Sequence, residues 1–254
     1  MLEQAYPILE FDPARQAVIE PRGPRATSRL PRHAVLCFFQ DVIDALVARH
    51  EARVVATVTS EMMAHPVYEL AVDGRSLVVL RPGVGAPLAA GILEEAIARG
   101  CDTFVACGGA GVLDSAIAAG HVVVPTAAVR DEGTSYHYLP PSREVEADPT
   151  VVAAIERVLR AHDVDYLRAK TWTTDAFYRE TPGKVLRRRE EGCLVVEMEA
   201  AAFFAVAHFR SVRFGQVLYG GGDVGGAEWD ARDWNTHSVR ETLFWLAAEA
   251  CLSL

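Results

Sequence analysis

The segment from Leu77 to Gly111 constrains the fold more than any other part of the chain. Leu77–Leu80 is an apolar run of strand length, and Arg81-Pro82-Gly83-Val84-Gly85 ends it with a turn. Leu88, Ile92, Leu93, Ala96 and Ile97 then recur at helical spacing. That spacing predicts an amphipathic helix over Leu88–Arg99, with Gly100 as its stop. Thr103–Cys107 is a second buried strand, and Gly108-Gly109-Ala110-Gly111 stands at its end. Strand, helix and strand in this order read as a βαβ unit with a parallel strand pair, since parallel strands need a long crossover.

The rest of the chain continues the alternation. Residues 1–32 are rich in Pro and Arg and read as irregular, with room for one short strand. Phe38, Phe39, Val42, Ile43, Leu46 and Val47 carry a helical period across Cys37–His50. Val54–Thr59 reads as a strand, and Val67–Val72 and Ser76–Leu80 flank the hairpin signal Asp73-Gly74. Val122–Pro125 is another short strand. Asp148-Pro149 reads as an N-cap followed by Pro at the first position of a helix running to Ala161. Leu194–Val196 runs into a helix over Ala200–Phe209. Gln216–Tyr219 is a strand ending in Gly220-Gly221-Gly222-Asp223, and Val239, Leu243, Leu246 and Ala250 mark a last helix over Ser238–Cys251. No repeat or composition break divides the chain, so one α/β domain over 1–254 is expected.

Composition narrows the function classes. Half of the 254 residues are hydrophobic, enough for one sizeable core. A net charge of −9 argues against nucleic acid and membrane surfaces as partners, while leaving room for a local anion site. No apolar run has the length of a membrane span, and Met1–Tyr6 lacks the apolar stretch of a signal peptide. The five cysteines are odd in number and form no C-x-x-C pair, so neither zinc nor a disulfide framework is suggested. They read as buried, reduced thiols of a cytoplasmic protein, with no metal and no cofactor expected.

Ligands of open α/β sheets bind beyond the carboxyl ends of strands. Three glycine-rich strand ends occur here, at Gly83-Val84-Gly85, Gly108–Gly111 and Gly220–Asp223. Each alone can be an ordinary tight turn; three together point to a shared cleft where backbone approaches a ligand. Gly83-x-Gly85 is not a dinucleotide fingerprint, because Leu88 stands where the third glycine belongs and Cys107-Gly108 where an acidic residue should end the next strand.

The stretch GVGAPLAAGILEEAIARGCDTFVACGGAG resembles the central signature of the nucleoside phosphorylase superfamily, which includes uridine and purine nucleoside phosphorylases and related nucleosidases. VVEMEAAAFFAVA, AVRDEGTSYHY and TTDAFY resemble three further segments, so the similarity runs from about Val67 to Asp230. The resemblance implies a three-layer α/β/α sandwich around a mixed, partly barrel-like sheet, assembled as a homo-trimer or homo-hexamer.

It also implies roles. Cleaving an N-glycosidic bond builds positive charge on the sugar and negative charge on the base, and both must be stabilised. Glu199 matches the carboxylate that accepts the ribose hydroxyls, and Met198 the residue under the sugar. Glu197 belongs either to that site or to the start of the helix as a paired carboxylate. Asp223 matches the aspartate that hydrogen-bonds and helps protonate the base in purine-type members. Phe177 sits where an aromatic ring stacks on the base, and Asp175 supports that loop. Gly83, Gly108 and Gly109 line the strand ends. Tyr136, His137 and Tyr138 reach towards substrate or a neighbouring subunit, and His65 lies near a segment that enters the partner's site in hexameric relatives.

The phosphate pattern departs from the family. Its strand arginine falls at Ala106 and its threonine at Gly109, and the Gly-Asp-Pro-x-Arg motif has only a partial echo in Phe11-Asp12-Pro13-Ala14-Arg15. The arginine that a partner subunit donates is lost near Met63–His65, and Thr181 and Gly183 replace the uracil-reading Gln and Arg. Arg81 is a gain at a strand end, able to clamp an oxyanion, with Arg15 as its possible companion. The expectation is a purine-type nucleoside phosphorylase acting as a pentosyltransferase, with nucleoside and phosphate as substrates. A hydrolytic nucleosidase and a non-catalytic nucleoside-binding protein stand beside it.

Overall fold

The computed structural model describes residues 3–21, 29–232 and 237–254. In chain order the strands and helices are β1 (His33–Cys37), α1 (Gln40–Ala48), β2 (Ala52–Thr59), β3 (Ala64–Val72), β4 (Arg75–Leu80) and α2 (Ala86–Ala98). They continue with β5 (Thr103–Val112), β6 (Val122–Asp131), β7 (Glu144–Glu146), α3 (Pro149–Ala161), β8 (Tyr166–Thr174) and α4 (Pro182–Glu190). The last are β9 (Cys193–Glu197), α5 (Ala200–Arg210), β10 (Arg213–Asp223) and α6 (His237–Leu252).

All ten strands form one mixed sheet in the order β10-β6-β8-β9-β5-β1-β4-β3-β2, with β7 on β6. β5 also pairs with β10, so β5, β10, β6, β8 and β9 close into a ring, while β1, β4, β3 and β2 extend from it as an open wing. This is the partly barrel-like sheet the resemblance implies.

Alternate residues of a strand face opposite sides, and here each side meets its own helix layer. Phe104 and Phe214, neighbours on β5 and β10, stack at 6.1 Å, and Phe203 of α5 stacks on Phe214 at 4.8 Å. One residue further along, Gly215 faces the other way. A Cβ there would lie 2.5 Å from Val151 and 3.2 Å from Ile155 of α3, so only glycine lets this helix settle on the sheet. α2 packs with α5 in one layer, and α3 and α1 pack with α6 in the other. The three-layer α/β/α sandwich is therefore as expected.

Several details differ from the sequence reading. β4 and β5 run parallel, but they are not neighbours, because β1 lies between them and pairs with both. β1 itself, His33–Cys37, falls between the segment read as irregular and the helix read as starting at Cys37. Its run Ala34–Cys37 is buried on both faces and lacks the alternation that marks an edge strand. Phe38 and Phe39 belong to the turn before α1. β6 continues six residues beyond Pro125, and β8 and α4 had no assignment. Among the described part of residues 3–32 there is a 3-10 turn at Pro7–Leu9 and no strand; residues 22–28 lie outside the description.

Other expectations hold. Asp73 and Gly74 turn the β3–β4 hairpin at φ 48° and 75°. The Asp148 side chain caps α3 by accepting the Thr150 N–H at 2.8 Å. All five cysteines are free and buried, and burial pushes the Cys101, Cys193 and Cys251 thiols up to about 12, which keeps them unreactive. No helix among the described residues is long and apolar enough to cross a membrane.

Candidate active site

The site forms where β9 gives way to α5. Glu199 is the N-cap residue of α5, yet its side chain does not cap that helix. It crosses instead to the glycine turn after β4, where Oε1 accepts the Gly85 N–H at 2.5 Å. Gly85 holds φ at 97°, a backbone state that strains any residue with a Cβ and aims this N–H at the carboxylate. The contact joins two strand ends of the sheet. Glu199 is 5% exposed, and its burial pushes the carboxyl up to about 8, helped by the nearby charges of Glu197 and Asp175 and opposed by the Gly85 N–H.

Glu197 is placed by its hydrogen bonds. Its Oε1 accepts the hydroxyls of Thr173 at 2.7 Å and Thr171 at 3.2 Å, and its Oε2 accepts the N–H groups of Glu199 at 2.8 Å and Ala200 at 2.7 Å. Of the two readings the sequence left open, the structure supports the paired carboxylate at the helix start. Glu197 ties the β9–α5 junction to β8 and fixes the backbone of Glu199. Thr173 completes the brace, its hydroxyl accepting the Ala201 N–H at 3.0 Å. Met198, between the two glutamates, is partly exposed.

A second carboxylate stands at the end of β10. Asp223 is 7% exposed, its Oδ1 accepts the Gly225 N–H at 2.8 Å, and its backbone pairs with Asp230 in both directions at 2.7 and 3.0 Å. The following loop is thereby pinned back on the strand, with Arg232 donating to the carbonyls of Gly221 at 2.9 Å and Ile117 at 2.8 Å. Trp229 of this loop is 65% exposed beside Gly222.

Phe177 is 51% exposed, and its ring centroid lies 4.1 Å from that of Tyr178. Asp175 accepts the Gly133 N–H at 2.8 Å, in keeping with its expected role as a loop support. Glu180, three residues beyond Phe177, is half-buried, and burial raises its carboxyl to about 7.

Gly83 follows the end of β4, whereas Gly108 and Gly109 lie inside β5, which continues five residues beyond the Cys107 at which the sequence reading ends it. Gly83 has φ at 76° and packs over Leu88; Phe38 covers the Cβ position of Gly108, and Tyr219 that of Gly109. Arg81, just beyond β4, donates to the Gln40 side chain. Arg15 does not join it. Its guanidinium lies 4.8 Å from the Phe209 ring, ten residues along α5 from Glu199, or about 15 Å at the rise of a helix. Ala106 is fully buried within β5.

Tyr136 and Tyr138 are used inside the chain, the first donating to the Arg130 carbonyl at 3.2 Å and the second packing on Phe209 at 5.6 Å. His65 pairs with the Ser60 hydroxyl at 3.1 Å. Sequence reasoning passed over Tyr219, Gln40 and Arg240, which the fold gathers near Gly109 and Arg81. No spacing signal links them, because they come from β10, α1 and α6.

The mixed sheet closed into a five-strand ring between two helix layers is a fold shared with solved nucleoside phosphorylases. The purine nucleoside phosphorylase of Toxoplasma gondii, solved with immucillin-H, superimposes with a TM-score of 0.78 at 19% identity, covering 94% of this chain and 97% of that one. A uridine phosphorylase of Vibrio fischeri, complexed with 6-hydroxy-1-naphthoic acid, gives a TM-score of 0.76 at 21% identity, over 89% and 93% of the two chains. The chain belongs to the phosphorylase superfamily, whose family model matches residues 32–250. It is 31% identical to the guanosine phosphorylase of Halorubrum lacusprofundi over 84% of this chain and 80% of the relative. It is 32% identical to the uridine phosphorylase of Treponema pallidum, over 53% of this chain and 57% of that protein.

Proposed function

We propose that this protein is a nucleoside phosphorylase that cleaves the N-glycosidic bond of a purine-type nucleoside and transfers the pentose to phosphate. The observation that carries the reading is the Glu199 carboxyl, buried at a strand–helix junction and held by the Gly85 N–H. Superfamily membership and the guanosine phosphorylase relative support it.

In this reading Glu199 accepts the ribose hydroxyls. Burial disfavours its charge, so the carboxylate is best accommodated when the sugar becomes positive. That interaction strengthens in the transition state, which is what accelerates the reaction. Met198 packs under the sugar and Phe177 stacks on the base. Asp223 hydrogen-bonds the base and passes it a proton as the glycosidic electrons move onto it. Phosphate attacks the anomeric carbon from the opposite side, giving pentose 1-phosphate and free base.

The reading extends to a cytoplasmic homo-oligomer, a trimer or hexamer. Met62 and Met63 at the β2–β3 turn are 89% and 59% exposed, and they offer a better subunit contact than the internally packed Tyr136 and Tyr138. A hydrolytic nucleosidase is the second reading, favoured by the buried Ala106 where the family carries a phosphate arginine. The test is a nucleoside panel incubated with and without phosphate, with base and sugar products identified. Phosphate-dependent base release with pentose 1-phosphate supports the proposal. Free pentose formed equally fast without phosphate replaces it with the nucleosidase.

A further inference from the structure

The turn over residues 175–180 carries Phe177 and is only lightly fastened to the rest of the chain. Most of its hydrogen bonds are local. The Ala176 N–H reaches the Thr174 hydroxyl at 3.2 Å, and the N–H groups of Arg179 and Glu180 reach the carbonyls of Ala176 and Phe177 at 2.7 and 3.3 Å. Among the described residues, one hydrogen bond ties the turn to another element, the Gly133 N–H donated to Asp175 Oδ2 at 2.8 Å. Residues 175–179 are all exposed, so water competes for that bond. Ile8 stands at the same glycine. Its Cδ1 and Asp175 Oδ2 each lie 3.8 Å from the place of a Cβ on Gly133. The 3-10 turn Pro7–Leu9 that carries Ile8 packs on a second one, Thr134–His137, which follows Gly133 directly. A branched apolar side chain in this place keeps water from one side of the bond, and a hydrogen bond strengthens as its surroundings become less polar.

The same N-terminal segment is fastened to α5 further along. The Arg15 guanidinium lies 4.8 Å from the centre of the Phe209 ring, and Glu20 lies 3.8 Å from Arg210, which also holds Glu94 at 2.8 and 2.9 Å. Both anchors sit at the carboxyl end of α5, the helix whose N-cap is Glu199. From Ile8 to Arg15 the chain advances seven residues, which span at most ~25 Å. From Phe209 back to Glu199 the helix measures about 15 Å. The segment therefore has the length to run back along α5 to the turn that carries Phe177. Asp175 lies near enough to Glu199 for its charge to be felt there, so that turn and the start of α5 are neighbours.

We propose that residues 7–20 form a strap that positions the Phe177 turn, with Ile8 shielding the Gly133–Asp175 hydrogen bond and Arg15 and Glu20 anchoring the strap on α5. The proposal rests on the reading of Phe177 as the ring that stacks on the base, and it adds Ile8 as a positioning residue that touches no substrate. A turn held in this way is ordered before the nucleoside arrives. Once released, it must be ordered during binding, and that cost weakens affinity. The strap should therefore act on KM for nucleoside and leave the chemical step alone.

Two readouts on the full chain test the strap: steady-state kinetics with the best nucleoside at saturating phosphate, and amide hydrogen exchange of residues 175–180 followed by mass spectrometry. The variants are Ile8→Ser, Ile8→Leu, Asp175→Ala, the double Ile8→Ser/Asp175→Ala, and Phe177→Ala. Ile8→Ser should raise KM for nucleoside about fivefold, the scale set by ordering one or two side chains on binding. Its kcat should stay within about twofold. Its Tm should stay within about 2 °C, because Ile8 is 38% exposed and outside the core. Exchange over residues 175–180 should quicken in Ile8→Ser, and Ile8→Leu should behave as wild type. The double variant should be no worse than Asp175→Ala alone, since Ile8 acts through that bond. Unchanged exchange in Ile8→Ser would overturn the strap. So would an unchanged KM in Ile8→Ser beside a raised KM in Phe177→Ala, and either result leaves the phosphorylase reading standing. An unchanged KM in both variants removes the stacking role of Phe177 and the strap's role with it. A wild type that cleaves no nucleoside overturns the phosphorylase reading, and exchange in Ile8→Ser then decides by itself whether the strap holds the turn.

Discussion

Glu199→Gln should make the protein more stable and nearly inactive. The amide keeps the size of the carboxyl and an oxygen for the Gly85 N–H, but it cannot ionise. In the wild type, burial moves this carboxyl from its ordinary 4.5 to about 8. The folded state thus holds the proton more tightly than the unfolded chain. Stability from this group is complete below about 4.5 and is lost as pH rises towards 8, after which the loss is constant. The full displacement corresponds to roughly 5 kcal/mol. Because the neutral amide also needs burial and new partners, the expected gain for Gln is about 2 kcal/mol at pH 8 and close to zero near pH 4.5. For a chain of this size that is about 4–8 °C in Tm. Calorimetry or circular dichroism of both proteins from pH 5 to 9 measures it, and the gap should widen up to pH 8 and then level off. Activity should fall ~10²-fold or more, since the amide cannot meet a positive sugar with charge. A Gln variant less stable than wild type at pH 8, or a gap independent of pH, would refute the reasoning.

Other outcomes follow from the same site. Asp223→Asn should lower kcat much more for nucleosides with basic leaving groups than for activated ones, and equal losses would make Asp223 a structural residue. If the ionised form of Glu199 is the working one, kcat/KM should climb as pH rises towards about 8; a profile falling over that range would argue against a carboxylate role. Gly85→Ala should cost ~1–3 kcal/mol by straining a residue at φ 97°, and it should weaken nucleoside binding, both readable by thermal unfolding and KM. Light scattering at micromolar concentration should give a trimer or hexamer, and a monomer would remove the oligomer from the account.

Periodicity made the layers legible. The helix after Gly85, the hairpin at Asp73-Gly74 and the capped helix at Asp148 all declare themselves through local rules, and the structure has them close to where those rules put them. β1 did not, because a strand buried on both faces shows no alternation, and its apolar run merged with the helix that follows Phe39. Missing β1 also made β4 and β5 look like neighbours. Within the site, Glu199, Asp223 and the glycine turns stood out because each sits in a short contiguous motif. The Thr171–Thr173 brace under Glu197 and the Arg240–Tyr219 contact join residues distant in sequence, and only the closed sheet brings them together. Arg15 shows the converse. Its neighbours Asp12-Pro13 echoed a phosphate motif, yet the fold sends its side chain to the Phe209 ring.

The central claim is that this chain moves a pentose between a base and phosphate, and the reverse reaction tests it most directly. Purified protein is given ribose 1-phosphate and a free 6-oxopurine, and nucleoside and inorganic phosphate are measured together. The account predicts that both appear in equal amounts and that Glu199→Gln abolishes their formation. No nucleoside from any purine base, by an enzyme that releases free pentose from nucleosides, would contradict it.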